Sequence, residues 1–136
     1  MQKLTDWQSV SSSAATGNQP VIIMVDQDHC PYCRRVESEF FAAILAGGEY
    51  RGRAIFAKIS IDEGETIVDS NGDLVETREF LRGYDAGFTP TILFMDAGKN
   101  ELVEKMVGLT TPDYYCYYLE QAIRQAIKAA SSASNA

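Results

Sequence analysis

The apolar run Val21-Ile22-Ile23-Met24-Val25 leads through a short polar loop into Cys30-Pro31-Tyr32-Cys33, which opens the helical pattern Arg34 to Leu45. A short, continuous, β-branched run reads as a strand buried on both faces. Strand, loop, two spaced thiols and helix therefore follow one another within about thirty residues, and the chain is expected to be α/β. The first turn of a helix carries unpaired backbone N–H groups and the positive end of the helix dipole. A thiolate at Cys30 is thereby stabilised relative to a free cysteine, and Cys33, one turn further on, can resolve a mixed disulfide formed at Cys30. Thiol–disulfide exchange is the first chemistry to weigh.

Two other uses of a Cys-x-x-Cys pair fit less well. A structural zinc site needs a second pair of ligands, but the chain offers only Cys116 and His29, and His29 is adjacent to Cys30. A purely structural disulfide closing so short a loop removes little unfolded-chain entropy. With 136 residues, 46% of them hydrophobic, the chain can bury a core as one domain over residues 1–130, without needing disulfides to fold. Residues 131–136, Ser131-Ser132-Ala133-Ser134-Asn135-Ala136, read as an unstructured tail or vector remnant. No apolar stretch approaches the roughly 20 residues of a membrane span. The net charge of −7 argues against nucleic acid as partner, and Arg34-Arg35, Arg51 and Arg53 are the only local basic groupings. Met1 to Trp7 does not read as a secretory leader.

Helical spacing of Leu4, Trp7, Val10 and Ala14, with Thr5 or Asp6 as N-cap and Gly17-Asn18 as stop, predicts a first helix. The helix opened by the cysteines is expected to bury Val36, Phe40, Ala43 and Ile44 and to stop at Gly47-Gly48. Residues 53–61 alternate as a second central strand, with Lys58 and Ser60 on one side and Ile59 and Ile61 on the other. Asn71-Gly72 signals a hairpin or extended surface loop within 62–76. A helix over 77–84 follows, burying Phe80 and Leu81. Strands at 91–95 and 102–107 flank the turn 96–100, and Pro112 suits the first turn of a final helix ending near Ala130.

This order resembles the thioredoxin superfamily over nearly the whole chain. Cys30 and Cys33 match the family's nucleophilic and resolving cysteines, Phe88-Thr89-Pro90-Thr91 its cis-proline segment, and Ala57 to Asp62 its second central strand with the inward-facing Lys58. The resemblance implies a thioredoxin fold: a mixed central sheet flanked by helices, with an extra N-terminal helix and a short insertion around residues 62–76. It also implies a protein-disulfide oxidoreductase that needs no cofactor or metal. Substrates would dock on Thr89, Pro90, Pro31, Tyr32 and His29, with the Thr89 backbone pairing to an extended segment as in strand addition. Protein thiols and disulfides and a redox partner protein are the implied partners, and a monomer is expected.

Departures from the family pattern matter equally. Met24 stands where many thioredoxins bury an aspartate for proton transfer to the resolving thiol, so Lys58 would have no carboxylate partner on that strand. Glu37, four residues beyond Cys33, is either the substitute or a solvated carboxylate paired with Arg34. His29 replaces the usual tryptophan, and a protonated imidazole there would favour the thiolate, with Asp26 and Asp28 opposing it. Pro31-Tyr32 is a pair familiar from glutaredoxins, but the segment after Pro90 lacks their Gly-Gly-Asp. Pro-Tyr and the long 62–76 connection instead resemble bacterial thioredoxin-related proteins that work outside the cytoplasm. A periplasmic or secreted location is expected on that ground, with the cytoplasm as the alternative.

Cys116 shares helical spacing with Leu119, Ile123 and Ala126 and is expected to face the core; a regulatory thiol or an intermolecular disulfide are its other uses. Tyr114, Tyr115, Tyr117 and Tyr118 are more rings than one buried face can absorb. The expected mechanism is attack by the Cys30 thiolate on a substrate disulfide, then resolution by Cys33 with help from Glu37 or a water near Lys58. From a different class, the chain could be a binding module that recruits a partner through the cis-proline face with inert cysteines.

Overall fold

The computed structural model describes residues 1–134. Strand β2 (Val21–Asp26) is its centre, and Val21 to Val25 are fully buried. It pairs in parallel with β3 (Ile55–Ser60) and antiparallel with β6 (Thr91–Met95). Two further strands, β1 (Gln2–Lys3) and β7 (Glu101–Val107), complete a mixed sheet of order β1-β3-β2-β6-β7. Because successive side chains point to opposite faces, the strands feed two cores. Val21, Ile23 and Val25 join Leu4, Trp7, Ala14, Ile59, Phe80 and Leu93 on one face. Ile22 and Met24 join Val36, Phe41, Ile44, Phe94, Leu119 and Ile123 on the other.

Helix α1 (Trp7–Gly17) covers the first face. Asp6 caps it, its Oδ1 accepting the Ser9 backbone N–H at 3.1 Å, and Asn18 ends it in the left-handed conformation with φ 52°. The cap satisfies one of the helix's orphan donors, so Asp6→Ala is expected to cost about 1 kcal/mol in a urea unfolding curve. The hairpin of β4 (Thr66–Val68) and β5 (Leu74–Glu76) forms around Gly72 at φ +83°. Helix α4 (Thr77–Phe80) buries Phe80 and Leu81 as expected but is shorter than the spacing predicts: Leu81 already leaves helical geometry, and Gly83 follows at φ +90°.

The second face carries the helix that begins at the cysteines. It runs as α2 (Pro31–Arg35), a π-helical turn (Val36–Phe41) and α3 (Ala42–Gly47). The wider turn inserts one residue into the helical phase, so Phe41, not Phe40, follows Val36 into the core. Phe40 is half-buried against the Tyr115 ring and Ala43 is exposed, which corrects the face expected from uniform 3.6-residue spacing. Helix α5 (Tyr115–Ser134) also differs. Residues 111–114 form a hydrogen-bonded turn ahead of it, and Pro112 lies in that turn. Its buried stripe is Tyr115, Leu119, Ala122, Ile123, Ala126 and Ala130, so Tyr115 takes the core position expected for Cys116, and Tyr114, Tyr117 and Tyr118 are exposed. The helix continues to Ser134 into the segment expected to be a tail, whose last two residues lie outside the described ones.

Candidate active site

Cys30 and Cys33 are joined by a disulfide at the C-terminal end of β2, where the chain turns into α2. Cys30 has extended backbone and serves as the N-cap: the Cys33 N–H points at its Sγ at 3.2 Å. Pro31 occupies the first helical turn, where a missing N–H costs nothing. Both cysteines are buried, at 7% exposure for Cys30 and 3% for Cys33. The loop that aims them is anchored by Asp62, whose Oδ2 accepts the Asp28 N–H at 2.9 Å and the Ser60 hydroxyl at 2.8 Å.

Opposite the disulfide, the Thr89–Pro90 peptide is cis and the Thr89 Oγ1 lies 3.5 Å from Cys30 Sγ. The Gly108 N–H donates to the Pro90 carbonyl at 2.7 Å, and the Thr91 hydroxyl donates to the Phe88 carbonyl, so both sides of the segment are tied down. Pro31 and Tyr32 are exposed beside it. His29 is exposed too, with a left-handed φ of 57°, and has no hydrogen bond or ion pair among the described residues.

A cavity of about 310 Å³ lies behind the sulfurs, lined by both cysteines, Asp26, Glu37, Lys58 and Ser60. The Lys58 Nζ donates to both Glu37 carboxylate oxygens, at 3.0 and 3.2 Å. The ion-pair partner of Glu37 is therefore Lys58 rather than Arg34. Lys3 and Glu65, 3.0 Å apart, also border this cavity.

Sequence reasoning gave Asp26 only a charge opposing His29 and missed its place in this cavity. Met24 pairs in register with Lys58 and is completely buried, so a thioether fills the place where the family pattern would put an acid. Two residues on, and hence on the same face of β2, Asp26 puts a carboxylate into the cavity instead. Burial pushes its pKa up from 3.8 to about 6; the Lys58 ammonium opposes the rise, and Glu37, Asp62 and Asp28 add to it. Strand periodicity counted back from the cysteines was the signal for it. Cys116, by contrast, lies half-buried on a flank of α5, its Sγ 4.0 Å from a Glu120 oxygen, and burial raises its thiol pKa. That is the opposite of an activated thiol.

Residues 8–123 match the model of a family described as the thioredoxin-like domain. No curated protein sequence matches the chain. Among solved structures it is similar to the thioredoxin of Fasciola hepatica, at 19% identity and a TM-score of 0.61 over 93% of this chain and 99% of that one. Thioredoxin f from spinach chloroplast (short form) is similar at 18% identity and a TM-score of 0.59, over 91% of this chain and 93% of that one. So is mitochondrial thioredoxin 3 from Saccharomyces cerevisiae in its oxidised form, at 18% identity and a TM-score of 0.58, again over 91% and 93%. Likeness at this identity speaks to the fold, and the fold is that of thioredoxin.

Proposed function

This chain belongs to the thioredoxin-like domain family, and from that premise we propose that it is a thiol–disulfide oxidoreductase acting on protein substrates through Cys30 and Cys33. One observation carries the reading: a disulfide pair sits at a helix N-terminus, with Cys33 N–H on Cys30 Sγ and Thr89 against the same sulfur. In the reducing direction the Cys30 thiolate attacks one sulfur of a substrate disulfide. A Cys30–substrate disulfide forms, and the displaced substrate sulfur leaves as a thiolate and takes up a proton. Cys33, after losing its proton, attacks Cys30 Sγ and displaces the second substrate sulfur, which is protonated in turn. The substrate gains two electrons and two protons, and the protein ends as the Cys30–Cys33 disulfide, to be reduced again by an external dithiol. A substrate dithiol attacking Cys30 runs the same steps backwards.

Asp26 and the Glu37–Lys58 pair are the groups available to move the Cys33 proton. Glu37 is held by Lys58, whereas Asp26, raised to about 6, is poised for acid–base work near neutral pH. We assign the acceptor role to Asp26 and a positioning role to Glu37 and Lys58. The docking roles of Thr89, Pro90, Pro31 and Tyr32 follow from their places around Cys30, with the Thr89 backbone aligning an extended segment. His29 has no partner that supports a role on the sulfur beyond its place next to Cys30. An oxidising compartment outside the cytoplasm is proposed from the resemblance alone, and fractionation of cells carrying the native protein tests it.

The test of the activity is equilibration in glutathione redox buffers, reading Cys30 and Cys33 by alkylation and mass spectrometry. The expected result is a reversible two-electron couple and a Cys30 whose alkylation midpoint lies below the roughly 8.5 of free cysteine. The absence of a reversible couple would overturn the reading in favour of a binding module.

A further inference from the structure

Among the described residues, seven large hydrophobic side chains are exposed: Tyr32, Leu74, Phe88, Val107, Tyr114, Tyr117 and Tyr118. Topology sorts them unevenly. β2 runs toward Cys30, β6 starts from the cis peptide, and β7 returns to pair Val107 with Thr91 before the chain enters α5. All of them except Leu74 therefore belong to segments at the disulfide end of the sheet. Scattered single apolar residues need no explanation, but their concentration at one end of a chain with net charge −7 does.

Phe88 stands out within this group. It is 68% exposed. Gly108 has φ +74°, and a Cβ there would meet Phe88 Cε1 at 3.3 Å, so one edge of the ring comes close to the space that the missing side chain leaves open. The neighbouring Gly108 N–H holds the Pro90 carbonyl, and Thr89, between Phe88 and Pro90, touches Cys30 Sγ at 3.5 Å. An apolar ring thus stands one residue from the contact at the sulfur, with Tyr32, 59% exposed, following Cys30 by two residues. An exposed aromatic ring, with only two χ angles to order, offers a large contact area at modest entropic cost.

We propose that Phe88 is a specificity residue that takes an aliphatic or aromatic side chain beside the substrate's half-cystine, so that the preferred substrates are extended polypeptide disulfides with an apolar neighbour. The proposal rests on the exchange activity and adds to it the class of substrate. A polar neighbour gains nothing from the ring and loses hydration against it. Shielding one aliphatic side chain is expected to change kcat/KM by about ten-fold.

The experiment compares two peptide disulfides that differ only in the residue next to the half-cystine, Leu or Ser, with hydroxyethyl disulfide as a probe that has no side chain to read. Wild type is expected to prefer the Leu peptide about ten-fold. Phe88→Ser should bring the ratio near one, and Phe88→Leu, which keeps an apolar contact, should retain most of it; circular dichroism of both variants checks folding. Equal rates on the two peptides in wild type, or a preference that persists in Phe88→Ser, would overturn the proposal. Failure of wild type on all three probes, hydroxyethyl disulfide included, would instead overturn the exchange reading, and the proposal with it.

Discussion

A Cys33→Ser variant is expected to accumulate a covalent mixed disulfide between Cys30 and its substrate, while Cys30→Ser loses exchange by at least about a thousand-fold. The asymmetry follows from geometry. Cys30 caps the helix and receives the Cys33 N–H, so its thiolate is favoured by the donors that no residue of the first turn can satisfy within the helix. Cys33 lies one helical turn further in, and it is Cys30 Sγ that faces Thr89 of the cis-proline segment. Removing the inner thiol leaves the first attack intact and the second impossible. Non-reducing electrophoresis followed by mass spectrometry reads the adduct, and adducts forming equally through Cys33 in the Cys30→Ser variant would refute the assignment. Cys116 is expected to form none, because burial and Glu120 raise its pKa.

Asp26→Asn is expected to stabilise the protein above neutral pH and to slow its chemistry. Burial holds the folded-state carboxyl at about 6 against an ordinary value of 3.8. Between those values the folded protein keeps a proton that the unfolded chain has released, so stability falls as pH rises through the window, and the whole cost is present above it. A gap of about two in pKa corresponds to roughly 3 kcal/mol, which solvent screening of a half-exposed group reduces to about 1–2 kcal/mol. Asparagine keeps the shape and removes the charge. Urea midpoints should therefore rise at pH 8 and change little at pH 4; an equal shift at both would show that ionisation is not the cause. The Lys58 ammonium, which attracts Asp26, and Glu37, Asp62 and Asp28, which repel it, remain in place, so the effect belongs to the one carboxyl. The same variant should slow resolution by Cys33 at least about ten-fold at pH 7, with the initial attack by Cys30 less affected. Quenched-flow measurement of substrate release against mixed-disulfide formation separates the two steps.

What could be read from the sequence was whatever a short period or a local turn encodes. Val21 to Val25 shows as a buried strand because every side chain is apolar, and Asn71-Gly72 shows as a hairpin because Gly72 accepts the positive φ that the turn requires. Strand β1 has only two residues, too few to carry a period. Phe40 and Ala43 were misread because one π turn shifts the phase after Val36, although Ile44 keeps its core place, and Cys116 because the stripe of α5 is set by Tyr115, one residue earlier. At the site, Glu37 and Lys58 come together from elements that sequence can list but not dock. The role of Asp26 was hidden because the family pattern points to the position of Met24, two residues earlier on the same face. A carboxylate two residues along a strand faces the same way, and the cavity is large enough to use it.

The π turn over Val36–Phe41 also bears on how this helix could be redesigned. Deleting one residue there would restore ideal α-helical hydrogen bonding, a change that propensity alone would recommend. An α-helix advances about 100° per residue, so the cysteines would then swing by that angle relative to the Phe41 and Ile44 anchors. Glu37 and the two sulfurs would no longer face Lys58 and the cis peptide together. The irregular turn works as a spacer ring between two rigid couplings: it sets the bearing of the reactive end independently of the buried end, and straightening the shaft would mis-aim the tool.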